Sequence, residues 1–236
     1  MSDIPSGKLA GFKGRMVMVG FGSIGQGVLP LILRHLDIAP SQISIVTADE
    51  TGREEAEAYG VAFTVTPLRQ GNYLSILDPL IGAGDFLVNL SVDVSSLALV
   101  EFCRSKGALY IDTCIEPWSG QYTDTKRSPS QRSNYALREA ALALKRKYEG
   151  GPTAVLTHGA NPGLVSHFVK QALIDIARDT GVKAEVPKAR AEWASLAARL
   201  GIKVIHIAER DTQVSPIPKA IGEFVNTWSV DGFVGE

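Results

Sequence analysis

Met16-Val17-Met18-Val19 runs straight into Gly20-Phe21-Gly22-Ser23-Ile24-Gly25. An apolar strand-like run opening into Gly-x-Gly-x-x-Gly constrains this chain more than any other stretch. The first glycine allows a tight turn, the second a close backbone approach, and the third helix-on-strand contact. Backbone N–H groups at the start of the following helix then face outward, where the helix dipole favours an anion such as a pyrophosphate. The context supports this reading. Val28, Leu29, Leu31, Ile32 and Leu36 follow with helical spacing, Pro30 falls in the first turns, and Ile43-Ser44-Ile45-Val46-Thr47 reads as a second strand. Strand, glycine turn, helix and strand is the setting a dinucleotide-binding fingerprint needs. The competing reading is a tight βα turn that binds nothing.

A dinucleotide site also wants an acid for the adenosine ribose after the second strand. Asp49 stands there, with Glu50 next to it as the alternative. An acid at that point repels a 2′-phosphate, so NAD is expected over NADP, although Arg53 is near. Both acids could equally be solvated residues opening the next helix.

Apolar patterning keeps alternating along the chain. Helices are expected over 53–59, 73–81 and 95–106, and strands over 61–65, 86–90, 108–112 and 154–156. Such alternation predicts an α/β fold of the Rossmann type, a doubly wound parallel sheet with helices on both faces. Further helices are expected over 134–147, 164–177 and 189–200, with a loosely specified connection over 183–188. The expected division is an NAD-binding domain over 1–160. A linking helix and the start of a second, α+β substrate domain follow over 161–236, with strands over 203–208 and 223–230.

Composition narrows the function classes. The formal net charge of this 236-residue chain is -1, which gives no footing for nucleic acid or an anionic membrane. Cys103 and Cys114 are the only cysteines. That excludes a disulfide framework and a cysteine-rich metal site, and no metal centre is expected. No apolar run is long enough to span a membrane and no signal-peptide core opens the chain, so a soluble, cytoplasmic protein is expected.

Ligands of such sheets bind outside the carboxyl ends of the strands. Those ends are polar here: Asn89, Ser91 and Asp93 after one strand; Asp112, Thr113 and Glu116 after the next; Thr157-His158-Gly159-Ala160-Asn161-Pro162-Gly163 after the last. Asn161 is expected as a helix N-cap with Pro162 at the first helical position. Cofactor contacts are expected from Gly20, Gly22, Ser23, Ile24, Gly25, Asp49, Asn89, Ser91, Asp112, Thr113 and Asn161. For Asn161 capping alone is the competing role, and for Asp93 and Asp112 it is turn chemistry. His158 and His206 lack metal-ligand spacing and read as structural, and Trp118 and Trp193 read as packing residues.

Several segments together resemble bacterial homospermidine synthase, within the saccharopine-dehydrogenase-like group. They include the glycine loop, Val88-Asn89-Leu90-Ser91-Val92-Asp93, Tyr110-Ile111-Asp112-Thr113-Cys114-Ile115-Glu116-Pro117-Trp118 and Ser133-Asn134-Tyr135-Ala136-Leu137-Arg138. Gly159-Ala160-Asn161-Pro162-Gly163, His206-Ile207-Ala208-Glu209-Arg210-Asp211-Thr212-Gln213 and Phe224-Val225-Asn226-Thr227-Trp228-Ser229-Val230 complete the set. The resemblance implies NAD as a recycled prosthetic group and the joining of two putrescines with release of ammonia. It implies that Glu116 and Glu209 guide the amines and that Glu236 anchors a distal ammonium. It also implies that Asn161 positions the nicotinamide or the reacting amine, with Asp93 a weaker candidate nearby. The Trp228 face would stabilise a cationic imine through its quadrupole. A homodimer is the expected assembly at full length. Members of that family are about twice as long as this chain, so the sequence is expected to be the cofactor half of a longer protein. The alternatives are another imine reductase of the same group, acting with net turnover of NADH or NADPH, and a non-catalytic dinucleotide-binding module. Without the resemblance, Glu116 reads as a loop acid, Glu209 as half of a salt bridge with Arg210, and Trp228 as core.

Overall fold

The computed structural model describes residues 7–210, 212, 214, 216–225 and 230. It divides into two compact units, one of residues 1–157 with 219–236 and one of residues 158–218.

The first unit is built on a six-stranded parallel sheet. Two short strands form a separate sheet: β1 (Ala10–Gly11) and β3 (Leu36–Asp37) pair with each other in parallel. The main sheet contains β2 (Met16–Val19), β4 (Ile43–Thr47), β5 (Ala62–Val65), β6 (Phe86–Asn89), β7 (Leu109–Asp112) and β8 (Ala154–Val155). Their spatial order is β5-β4-β2-β6-β7-β8. Counting only main-sheet strands, this is the 3-2-1-4-5-6 order of a doubly wound dinucleotide fold. The order reverses between β2 and β6, and Val19 stands in register with both Val46 and Asn89.

Sequence explains the strands. Every residue of β2 is buried, as expected of an inner strand covered on both faces. Crossovers are made by α1 (Ser23–His35), α2 (Arg53–Ala58), α3 (Tyr73–Leu77), α4 (Ser96–Lys106) and α5 (Asn134–Lys147). Ser95 caps α4 by accepting from the Ala98 N–H, and Ser133 caps α5 by accepting from the Ala136 N–H. One core packs Val17, Val19, Leu87, Leu99, Phe102 and Tyr110 together, and a second packs Met16, Met18, Leu29, Ile43 and Ile45. Trp118 packs against Tyr73 with ring centroids 5.2 Å apart.

At the amino edge, Asp85 closes a tight set of donors. It accepts from the Arg15 backbone N–H (2.7 Å), the Arg15 guanidinium (3.0 Å) and the Gly82 N–H (2.8 Å). Burial alone would raise its carboxyl, but these donors win and hold it below its ordinary value.

Some expectations are corrected. Pro30 sits well inside α1, because the helix already begins at Ser23. The helix expected over 73–81 stops at Leu77: Asp78 keeps helical backbone and donates to the Leu74 carbonyl, but Pro79 has no N–H with which to continue the ladder.

The second unit holds α6 (Leu164–Asp179) and α7 (Arg190–Arg199). Leu173, Ala177 and Leu196 form its small core, and Trp193 packs on them. The strand expected over 203–208 is absent, and no regular structure replaces it. Among the described residues no neighbouring strand is available to pair with it, and a strand without partners is not stable in water. That segment instead lines a groove of about 390 Å³ with the apolar face of α6, Phe168 and Ile176 opposite Ile205 and Ile207. The strand expected over 223–230 includes 226–229, which lie outside the described residues.

Candidate functional site

The glycine loop occupies the turn between β2 and α1. Gly20 has φ +84°, and a Cβ there would come within 2.7 Å of the Ser91 backbone. Gly25 is buried, and a Cβ on it would press to 2.8 Å from the Phe21 ring. These two glycines are therefore required by packing. Gly22 is different: a Cβ on it would meet nothing of this chain within 4 Å. Internal packing gives no reason for glycine there, whereas close approach of a pyrophosphate does. Gly22 is the N-cap of α1, no side chain caps the helix, and its first turn carries no acid. The exposed N–H groups of Ser23 and Ile24 are thus left for an anion. The chain fits a dinucleotide at this point on its own geometry.

Asp49 lies just past β4, exposed, in a turn where its carboxylate accepts from the Thr51 N–H at 2.9 Å. The Thr51 hydroxyl and N–H hold its carboxyl below the ordinary value. Glu50 is engaged by Arg53, whose guanidinium also lies 4.7 Å from the Phe63 ring centre. That leaves Asp49 as the better-placed acid of the two for a ribose. Gly52 seats this turn on the glycine loop: its φ is +82°, and a Cβ would fall 2.7 Å from the Phe21 ring and 2.9 Å from the Gln26 amide.

On the other side of the switch point a buried polar network joins three strand ends. The Asn89 carboxamide oxygen accepts from the Ser91 hydroxyl (2.6 Å) and the Ser91 N–H (3.2 Å). The Asn89 amide donates to the Tyr110 hydroxyl at 3.2 Å, and that hydroxyl donates to Asp112 at 2.8 Å. The other Asp112 oxygen accepts from the Thr157 N–H at 2.5 Å. Asp112 is fully buried. Burial raises its carboxyl, against the opposing pull of Thr157, Tyr110 and Ser96. Thr113, beside it, is half-buried.

Glu116 is 2 % exposed, and one of its carboxylate oxygens has no hydrogen-bond partner. Its backbone is clasped by Ser96: the Glu116 N–H donates to the Ser96 hydroxyl (3.0 Å), and the Ser96 N–H donates to the Glu116 carbonyl (2.9 Å). Burial is the main reason its carboxyl is pushed up to about 7, with the charges of Asp93 and Asp112 adding and hydrogen bonds from Asp93 and Cys114 opposing. A carboxyl that ionises near neutrality, with a free acceptor atom, can take a proton from an ammonium or pair with it.

The structure thus brings Gly20, Gly22, Ser23, Ile24, Gly25, Asp49, Asn89, Ser91, Asp112, Thr113 and Glu116 to the carboxyl-end loops of one sheet. Asn161 and Glu209 belong to the other unit. Asn161 is not the N-cap expected of it. It precedes Pro162 across a cis peptide bond, Gly163 is the N-cap, and α6 begins at Leu164. The Leu164 and Val165 N–H groups are taken by the Gly159 and Ala160 carbonyls, so the helix start is served by backbone. Glu209 is exposed in a segment without regular structure. Trp228 and Glu236 lie outside the described residues. Among the described residues no group of three or more His, Cys, Asp or Glu is arranged to hold a metal ion.

Two residues of the network, Tyr110 and Ser96, are not among the sequence-derived candidates. The signal was there for one of them. Tyr110 and Asp112 are two apart on a strand and so share a face, which puts an aromatic hydroxyl beside a strand-end acid.

Comparison with known proteins agrees with this geometry. The model of the saccharopine dehydrogenase NADP binding domain family matches residues 16–155. A homospermidine synthase of Blastochloris viridis is 54% identical over 226 residues, 94% of this chain and 47% of that protein. A homospermidine synthase of Mesorhizobium japonicum is 48% identical, again over 94% of this chain and 47% of its own. Among solved structures, the homospermidine synthase of Legionella pneumophila in complex with NAD matches with a TM-score of 0.79 and 48% identity, covering 97% of this chain and 47% of that one. The resemblance read from the sequence motifs is borne out, and the chain spans about half the length of the relatives it matches. By its fold, its glycine loop and the family match over residues 16–155, the chain belongs to the saccharopine dehydrogenase NADP binding domain family.

Proposed function

We propose that this chain is the cofactor-binding part of a homospermidine synthase, joining two putrescines into homospermidine with release of ammonia. The observation that carries the reading beyond simple dinucleotide binding is Glu116: a buried carboxyl, ionising near neutrality, with an unpartnered oxygen at the carboxyl edge of the sheet. The homospermidine synthases that this chain resembles supply the substrate class. NAD, when bound, supplies a site that takes a hydride from an aminomethylene carbon and later gives it back.

The chain's own residues do the rest. The Gly20–Gly25 turn and the first turn of α1 hold the pyrophosphate, with Gly22 giving it room. Asp49 accepts from the adenosine ribose. Asn89, Ser91, Asp112 and Thr113 shape the wall beside the nicotinamide half. Glu116 accepts a proton from a diamine ammonium, so that the neutral amine can release hydride from its neighbouring carbon. Before that transfer its free oxygen pairs with the ammonium, satisfying a group otherwise buried alone. Glu209 guides the second amine, Asn161 orients the reacting group, Trp228 offers its face to the cationic imine, and Glu236 holds the far ammonium. The proposed assembly is a homodimer working in the cytoplasm. Among the described residues no helix is long and apolar enough to cross a membrane.

One observation favours a second reading. The family description names NADP, and Arg53 pairs with Glu50, the neighbour of the ribose acid Asp49. An imine reductase with net NADPH turnover would use such an arginine for the 2′-phosphate. A chimera separates the two, with this chain replacing the matching part of the Blastochloris viridis relative. Homospermidine formed from putrescine with catalytic NAD and no accumulating NADH supports the first. A chimera that binds NAD yet needs a keto or aldehyde co-substrate and stoichiometric NADPH overturns it.

A further inference from the structure

We propose that the Tyr110 hydroxyl is a positioning group for the dinucleotide: it sets the Asn89–Ser91 turn against which the first glycine of the loop is seated. The inference rests on the dinucleotide reading and deepens it.

Gly20 lies tight against the loop that follows β6. Its missing Cβ would fall 2.7 Å from both the Ser91 Cα and the Ser91 nitrogen, so the Ser91 backbone is the surface that Gly20 lies against. Any shift of Ser91 moves the loop or collides with it. Ser91 in turn is held by one acceptor, the Asn89 carboxamide oxygen, which takes both its hydroxyl and its N–H. A carboxamide holds two donors on that oxygen only if it does not flip. Its orientation is fixed by its other end, where the amide donates to the Tyr110 hydroxyl at 3.2 Å. Tyr110 is itself pinned, because its hydroxyl proton goes to Asp112 at 2.8 Å. The hydroxyl therefore accepts from one strand end and donates to another, and phenylalanine can do neither.

This is more than core packing. Leu87 and Tyr110 face each other in register inside the sheet, so the ring fills the core whether or not it carries oxygen. Only the hydroxyl reaches the strand ends. Without it, the Asn89 amide is buried with an unmatched donor, and turning the carboxamide over toward Asp112 would take the acceptor away from Ser91. The loss is transmitted to Gly20 through backbone contact, with no direct contact between Tyr110 and a ligand.

The test uses NAD binding to the 236-residue chain by titration calorimetry, with three variants. Tyr110→Phe is expected to raise the NAD Kd roughly tenfold, the loss of one well-placed hydrogen bond at about 1.4 kcal/mol. Asn89→Ala is expected to do the same, and the double variant to bind no worse than Asn89→Ala alone, since both changes cut one path. Asp85→Asn serves as control. It removes hydrogen bonds at the opposite end of the same unit, so it lowers thermal stability and leaves the NAD Kd unchanged. Loss of affinity that merely follows stability, appearing equally in Asp85→Asn, would overturn the proposal. So would a Tyr110→Phe Kd equal to that of the parent chain, or full additivity in the double variant. A parent chain that binds no NAD would overturn the dinucleotide reading itself, and this proposal with it.

Discussion

Replacing Glu116 by Gln removes a carboxyl whose ionisation burial disfavours, and its effect on stability can be worked out in advance. In the unfolded chain this carboxyl ionises near its ordinary value of 4.5, whereas in the fold burial holds its proton up to about 7. The folded state therefore binds the extra proton over that window. Stability from this group is fully present below the lower value, falls as pH rises toward the higher one, and is flat beyond it. At 1.36 kcal/mol for each unit of pKa, the full loss is roughly 3 kcal/mol, of which roughly 2–3 kcal/mol falls between about pH 5 and about pH 8. Glutamine does not titrate, so Glu116→Gln loses that slope. For a chain of this size the difference amounts to roughly 5–10 °C in Tm. The assay is urea or thermal unfolding of both proteins at the two pH values. Taking the pH difference within each protein cancels any constant cost of burying the amide. The parent chain should lose stability across the interval relative to the variant. Equal pH slopes would show that Glu116 ionises as an exposed acid does, and would remove the basis for its proposed role with amines.

Other substitutions separate function from packing. Gly22→Ala should fold with a stability change below about 1 kcal/mol, because a methyl group there meets nothing of the chain, yet raise the NAD Kd at least tenfold; Gly20→Ala should instead lower Tm, since its φ is positive and its Cβ would strike backbone. Asp85→Asn should cost about 2 kcal/mol in urea unfolding near neutral pH. Because the Asp85 carboxyl is held below its ordinary value, that contribution is present above about pH 4 and is lost as pH falls further, so parent and variant should converge in acid. Asp49→Asn should narrow the gap between NAD and NADP Kd values by relieving repulsion of the 2′-phosphate; an unchanged ratio would reassign the ribose contact.

The sheet was legible in the sequence because its signals are local. The unbroken apolar run at Met16 to Val19, the glycine turn and the second strand at Ile43 to Thr47 each carry their own pattern, and the structure places all three as read. The helix read over 95–106 is opened by Ser95 as its cap, and the one read over 134–147 begins at Asn134. Errors arose where the backbone groups are satisfied differently from what the side-chain pattern suggests. Asn161-Pro162 carries the local pattern of a helix start, yet backbone carbonyls from Gly159 and Ala160 serve the first turn of α6. Residues 203–208 carry a strand pattern but find no partner strand among the described residues. The acids Asp112 and Glu116 were visible as residue types at a strand end. Their burial, and the Tyr110 and Ser96 hydroxyls that organise them, depend on β6, β7 and α4 meeting, which no single stretch of sequence announces.

The central claim is that one hydride is borrowed from an amine carbon and returned. The direct measurement is turnover of putrescine deuterated at its aminomethylene carbons by the chimeric enzyme with catalytic NAD, followed by mass spectrometry of product and cofactor. The expected result is homospermidine that keeps its full deuterium and free cofactor that stays unlabelled, the deuteride residing on the enzyme-bound nicotinamide only between its removal and its return. Deuterium accumulating in free NADH, with product that has lost it, would contradict the claim.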